Sequence, residues 1–167
     1  VDAERFHPGK RSDILAAKFG VRPGDSTLLY VGRVSLEKNL HVLGRAYRAL
    51  VEDGRPDACL VVVGDGPYRA ELERDLAGTP AVFTGYLDGD DLAAAYAASD
   101  VFVFPSATDT FGNVILEAQA SGLPVIVTDK GGPCENCIPE ETGLVVEAGS
   151  AAALTKAMET LLSDAPR

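Results

Sequence analysis

Short β-rich runs and helical segments alternate six times along this chain, with no low-complexity stretch and no fixed-period repeat. Few architectures accept that pattern. The runs at 28–31, 60–63, 82–84, 101–104, 125–127 and 144–146 are apolar on both faces, as strands of a parallel sheet covered by helices are. Helical periodicity falls between them, at 36–51, 68–76, 91–98 and 112–121, with a short helical turn after Pro133 and a last helix at 151–162 capped by Ser150. An early helix at 12–19, closed by Gly20, precedes the first strand. The expected fold is α/β, a Rossmann-like three-layer sandwich of about six parallel strands, which binds ligands where strands end and helices begin.

Size and composition narrow the function classes. At 167 residues and 46% hydrophobic the chain can bury a sizeable core, and one domain over 1–167 is expected. The sequence has no apolar run of membrane-spanning length and no signal peptide, so a soluble, cytoplasmic domain is expected. A net charge of -10 and a pI near 4.6 argue against nucleic acid held on a basic surface, and 7% aromatic residues provide no stacking platform. Any anionic ligand must instead be held by a few local donors. Three cysteines cannot build a disulfide framework. Cys59 lies in an apolar run, where a buried thiol is the ordinary outcome.

Four loops at the expected ligand edge carry unusual residues. In the run from Phe104 to Pro124, Pro105 and Ser106 end a strand, and Val114, Ile115 and Ala118 then recur at helical spacing. Gly112 permits close approach to the backbone, and the free amides of the first helical turn attract phosphate. Asp109 precedes that turn, while Glu117 lies about one and a half turns inside it, within reach of a ribose beside the phosphate. The loop from Gly32 to Asn39 places Arg33 and Lys38 at the head of a helix, where cations oppose the helix dipole and a bound anion would account for them. The alternative is a solvated pair of Lys38 with Glu37 or Glu52.

The other two loops are glycine-rich. Gly64-Asp65-Gly66-Pro67 starts a helix with proline at its first position, which also suits a plain turn. It is not GxGxxG, so a nicotinamide-binding domain is disfavoured, and neither a Walker loop nor a nucleophile triad is present. Gly131-Gly132 could bring backbone amides onto a ligand, with Glu135 orienting the loop or meeting a hydroxyl, or could be a structural turn. Cys134 and Cys137 form a CxxC at a helical start, a position that lowers thiol pKa, although neither a zinc ligand set nor a thioredoxin-like pattern accompanies it.

The ordered set GRVSLEKNL, VVVGDGPYRAELE, FTGYL, AAYAASDVFVFPS, DTFGNVILEAQASGLPVI, GGP..E and ETGLVV resembles the C-terminal, nucleotide-sugar-binding domain of the family 4 retaining glycosyltransferases of GT-B fold. The resemblance covers nearly the whole chain, and VDAERFHPG resembles the segment that enters this domain, so 1–11 is expected to be an interdomain linker and the N-terminal acceptor domain to be absent.

The family implies a donor domain for a nucleoside-diphosphate hexose, acting with retention, without a metal or other cofactor, and inactive in isolation. Arg33 and Lys38 would hold the diphosphate and Glu117 the ribose hydroxyls. Gly112, Asn113 and Val114 would offer amides to phosphate, and Asp109 would face the sugar where the family usually has glutamate. Gly32, Gly64, Gly66, Tyr86, Leu87, Phe111, Gly131, Gly132 and Glu135 would complete the nucleotide site. Implied partners are the nucleotide sugar and the acceptor domain, with membrane contact, if any, made through that domain. A nucleotide-sugar-sensing module and a GT-B UDP-sugar epimerase domain are the alternatives.

Overall fold

The computed structural model of the chain describes residues 1–10, 12–22, 24–109, 113–139 and 141–164. Strands β1 (Ser26–Val31), β2 (Ala58–Val63), β3 (Val82–Gly85), β4 (Val101–Phe104), β5 (Val125–Thr128) and β6 (Gly143–Val146) form one sheet. Each pairs in parallel with its neighbours. The helices are α1 (Ile14–Phe19), α2 (Leu40–Glu52), α3 (Arg69–Asp75), α4 (Gly89–Ala97), α5 (Asn113–Ala120) and α6 (Ala151–Asp164), with 3-10 turns at Pro8–Lys10, Leu36–Lys38 and Gly132–Asn136. α2 packs on α3 and α6, and α4 packs on α1 and α5, which gives one helical layer on each face of the sheet.

The strand order is β3-β2-β1-β4-β5-β6. The chain builds outward from β1 in one direction and then crosses to lay β4 on its other side. Loops leaving the C-terminal ends of β1 and β4 therefore diverge, and a crevice opens between them. The start of β4 is pinned beside β1 by two reciprocal bonds. The Thr27 amide donates to the Asp100 carboxylate at 2.8 Å, and the Asp100 amide donates to the Thr27 carbonyl at 3.0 Å.

All six expected strands are present, and the four inner ones are buried along their whole length. The edge strands differ from the expectation of burial on both faces, since β3 is only half-buried throughout and β6 is so over three of its four residues. An edge strand lacks a neighbour on one side, so apolar sequence alone cannot bury it. The expected helix over 36–51 is also divided. Leu36–Lys38 is a 3-10 turn, Asn39 takes a left-handed conformation at φ 59°, and α2 starts only at Leu40. Asparagine tolerates that region better than most residues, which is why the break falls there.

From Leu40 onward α2 buries Leu40, Leu43, Tyr47 and Leu50 at helical spacing, each large apolar side chain contributing about 1.5–3 kcal/mol. Gly20 closes α1 in the left-handed conformation, and the Ala153 amide donates to Ser150 Oγ at 3.1 Å to cap α6, both as expected. Tyr30, Tyr47 and Tyr96 are fully buried. A buried phenol must find an acceptor. Tyr47 donates to the Ala58 carbonyl inside the core at 2.7 Å, whereas the other two hydroxyls end at the crevice.

Candidate functional site

The wall of the crevice is made of backbone brought unusually close together. The Gly32 amide donates to the Val63 carbonyl at 3.0 Å, the Val34 amide to the Asp65 carbonyl at 3.0 Å, and the Gly64 amide to the Gly85 carbonyl at 2.9 Å. These bonds join the loops that follow β1, β2 and β3. A Cβ on Gly64 would lie 1.9 Å from the Gly32 carbonyl oxygen, and one on Gly66 would lie 2.2 Å from the Val34 carbonyl oxygen. The GDGP sequence is thus more than a turn, because no side chain fits at either glycine. The Gly66 amide donates to its neighbour's carboxylate, Asp65 Oδ1, at 2.8 Å. With the amides of Gly32, Gly64 and Gly66 all engaged inside the protein, these glycines supply closeness rather than ligand donors.

Above this wall lies a half-open cavity of about 370 Å³, bounded by Gly32, Arg33, Gly64, Asp65, Tyr86, Leu87, Val114 and Glu117, with Val31, Val63 and Leu92 at its base. Arg33 is exposed at the rim, where its backbone carbonyl accepts a hydrogen bond from the Tyr30 hydroxyl at 2.8 Å. Tyr86 is 78% exposed and presents its ring to solvent at the cavity mouth. Glu117 projects from α5, and its Oε1 accepts a hydrogen bond from the Tyr96 hydroxyl at 2.9 Å. Burial raises the Glu117 carboxyl above the usual carboxylate range, and the Tyr96 hydrogen bond partly opposes that rise by favouring the anion.

Beside the cavity is a second cluster. Lys38 Nζ contacts Asp109 at 2.9 Å (Oδ1) and 3.1 Å (Oδ2), with both side chains about one-fifth exposed. Ser106 Oγ donates to the same carboxylate, and Asn39 Nδ2 donates to the Pro105 carbonyl at 3.3 Å, tying the head of α2 to the loop after β4. From the other side, the Gly132 amide donates to the Asp109 carbonyl at 2.8 Å, and Thr128 Oγ1 donates to the Ser106 carbonyl at 3.1 Å. Gly131, at φ 82°, sits against the Ala107 and Asp109 carbonyls. Tyr30 lies between the two clusters, its phenol pushed up by burial and by the negative charge of Asp109. Lys38 is therefore answered by Asp109, and not by Glu37 or Glu52.

Of the residues singled out by sequence, Gly32, Arg33, Gly64, Tyr86, Leu87, Val114 and Glu117 share the cavity, while Lys38, Asp109, Gly131 and Gly132 share the adjoining cluster. Gly66 holds the loop behind the wall. Asn113 is exposed at the first residue of α5, and Phe111 and Gly112 lie outside the described residues. Glu135 is exposed, and its side chain makes no ion pair or hydrogen bond among the described residues. The Gly132 amide is taken up by the Asp109 carbonyl, so that glycine braces the loop after β4.

The cysteine pair departs from expectation. Cys137 lies at the C-terminal end of the 3-10 turn rather than at a helix start, and burial raises its thiol. Cys134 Sγ lies 3.0 Å from the Gly131 carbonyl, and both thiols are free. Cys59 behaves as a buried core thiol, pushed up to about 12 by burial.

Sequence reasoning passed over Tyr96, Asp65 and the tie between Ser106 and Asp109. Tyr96 did carry a signal, for it is the one aromatic residue in an alanine-rich helix, DLAAAYAAS. A phenol buried among small residues must send its hydroxyl to a specific acceptor.

The sequence matches the family described as glycosyl transferases group 1 over residues 25–164. It is 41% identical to the sulfoquinovosyl transferase SQD2 of Arabidopsis thaliana, across 98% of this chain and 32% of that protein. It is 42% identical to a GDP-mannose-dependent alpha-mannosyltransferase of Mycobacterium tuberculosis, across 89% of this chain and 37% of that protein. The fold superposes on sucrose-phosphate synthase from Thermosynechococcus elongatus with a TM-score of 0.81 and 32% identity, covering 98% of this chain and 42% of that one. The chain spans about a third of the length of these curated relatives. Among the described residues no helix is long and apolar enough to cross a membrane.

Proposed function

This chain belongs to the glycosyl transferases of group 1, and from that membership we propose that it is the donor-binding domain of a nucleotide-sugar-dependent glycosyltransferase. The observation that carries the proposal is the cavity of about 370 Å³ at the strand-order switch, onto which an exposed arginine, Arg33, and a half-buried carboxylate, Glu117, both face. That volume suits a small ligand. A nucleoside diphosphate offers an anion to Arg33 and vicinal hydroxyls to Glu117, with Tyr86 and Leu87 left for the base. The mycobacterial relative's dependence on GDP-mannose supports a nucleoside-diphosphate hexose as donor.

In the proposed reaction Arg33 and Lys38 neutralise the charge that grows on the diphosphate as the glycosidic bond breaks, which allows transfer without a metal. A diphosphate reaching Lys38 competes with Asp109 for the ammonium group. The displaced carboxylate, still tethered by Ser106, turns to the sugar. Transfer proceeds with retention, onto an acceptor bound by an N-terminal domain in the cytoplasm, with residues 1–11 as the connection between the domains. Without that domain the donor lies open to water, so this chain binds nucleotide and does not turn over.

Isothermal titration of UDP, GDP and ADP against the chain and against Glu117→Ala and Lys38→Ala tests the proposal. One nucleotide should bind, with affinity falling on the order of thirtyfold in Glu117→Ala and tenfold in Lys38→Ala, as loss of hydrogen bonds to charged groups implies. Equal binding by all three proteins would refute it. Sugar transfer by the chain alone would refute its dependence on an acceptor domain.

A further inference from the structure

The Glu117 carboxylate is held from behind by residues that would never touch the donor. Tyr96 is fully buried on α4, and its hydroxyl donates to Glu117 Oε1 at 2.9 Å. The edge of one ring meets the face of the other where Tyr96 contacts Phe6, with centroids 5.5 Å apart and planes at 88°. Phe6 is 7% exposed, although it belongs to the N-terminal segment and to none of the helices or strands. The segment is folded locally, as the Glu4 and Arg5 amides donate to Asp2 Oδ1 at 3.0 and 3.2 Å, and the Phe6 amide donates to the Asp2 carbonyl at 2.9 Å. Two residues on, Pro8 packs against Gly122 at the end of α5, where an added Cβ would lie 3.0 Å from the proline ring. One segment thus braces both α4, which carries Tyr96, and α5, which carries Glu117.

We propose that Tyr96 is a positioning residue for the Glu117 carboxylate, and that Phe6 makes the N-terminal segment part of the same device. A carboxylate has two oxygens. Tyr96 occupies Oε1, and among the described residues Oε2 makes no hydrogen bond, so it remains available to a hydroxyl in the cavity. The phenol therefore sets the side chain's direction and also favours its ionised form against the burial that disfavours it. Other charged groups facing Glu117 are Arg33 and Asp65 across the cavity. Because Phe6 rests on the ring whose hydroxyl holds the carboxylate, displacing the segment loosens the carboxylate without altering any residue that lines the cavity. The proposal rests on the donor-domain assignment where it places a ribose at Glu117.

The test is a carbon-detected NMR titration of the Glu117 carboxyl in the wild-type chain, Tyr96→Phe and Phe6→Leu, alongside UDP and GDP affinities for each as a function of pH. In Tyr96→Phe the Glu117 midpoint should move upward, and affinity at neutral pH should fall on the order of fivefold. That deficit should widen as pH falls, because more of the carboxyl is then protonated. Phe6→Leu should shift both in the same direction by less.

An unmoved midpoint and affinity in Tyr96→Phe would overturn the proposal, even if the melting temperature dropped, since Tyr96 would then only fill the core. An unmoved Phe6→Leu would remove the N-terminal segment from the device. If the wild-type chain bound no nucleotide, the donor-domain assignment would fail. The carboxyl titration would still decide whether Tyr96 and Phe6 hold Glu117.

Discussion

The two sides of the crevice solve the problem of charge differently. On the Glu117 side, Arg33 and Glu117 face one cavity, and neither forms an ion pair among the described residues. Among the described residues neither charge is tied to a side chain of opposite sign, so a ligand there breaks no ion pair. On the Lys38 side the charges are already met. Lys38 contacts both oxygens of Asp109, and Ser106 holds that same carboxylate. A ligand must exchange with an existing partner there and gains only the difference. In the proposed donor site, the first side therefore meets a ligand with its charges unpaired, and the second meets it by exchange of an existing partner.

The largest difference should come from the backbone beneath each side. Gly64→Ala puts a Cβ 1.9 Å from the Gly32 carbonyl, whereas Gly131→Ala puts one 2.9 Å from the Asp109 carbonyl. The first clash cannot be relieved without separating the β1 and β2 loops. Gly64→Ala should therefore cost about 3 kcal/mol or more, lowering the melting temperature on the order of 10 °C. Gly131→Ala, strained by its φ of 82°, should cost about 1–2 kcal/mol. Thermal denaturation of the pair decides, and equal losses would show that the close approach at Gly64 has no special weight.

A smaller effect should separate competition from simple attraction at Lys38. In Asp109→Asn the ammonium loses its charged partner but keeps a neutral neighbour of the same shape. UDP or GDP should then bind about threefold more tightly, because the diphosphate no longer competes with a carboxylate. The lost ion pair should cost no more than about 1 kcal/mol of stability, as expected for a partly exposed pair. Weaker nucleotide binding by Asp109→Asn would mean that Asp109 and the ligand do not share Lys38.

The smallest effect concerns pH. Burial raises the Glu117 carboxyl in the folded chain above its unfolded value, so in the window between the two the folded state binds more protons than the unfolded state. Stability from this group is thus lost as pH climbs from the ordinary carboxylate range through the raised value. Glu117→Gln, which can still accept from Tyr96 but cannot ionise, should flatten that part of the curve and be slightly more stable than wild type at neutral pH, while binding nucleotide more weakly. Urea denaturation at a series of pH values measures it. A slope unchanged by Glu117→Gln would assign it to other groups.

Much of this molecule was legible from local pattern. All six strands were placed within two residues of their observed starts, because an apolar run bounded by Gly, Pro or Asp is a property of adjacent residues. The same holds for Gly20 and Ser150 as helix ends. Arg33 and Glu117 were placed at the ligand edge for the same reason, since each follows a strand by a short loop or by one and a half helical turns. The helix expected from Leu36 failed at Asn39, where periodicity continues through a residue whose backbone does not. The lowered thiol pKa that a helical start would give does not hold at Cys137, because the turn at Gly132–Asn136 places that residue at its far end and buries it.

Sequence by itself determined the class of fold, the succession of its elements and the residue types at its ligand edge, all of which depend on interactions between residues near one another in the chain. Only the tertiary structure decided the partners. Lys38 and Asp109 are separated by 71 residues, and Tyr96 and Glu117 by 21. Whether such groups meet depends on the strand order, which sets β1 beside β4, and on how tightly two glycine loops close on each other. Neither is encoded in any short stretch, because a side-chain hydrogen bond forms within about 3 Å, while a strand placed one position away across the sheet moves its loop by about 5 Å.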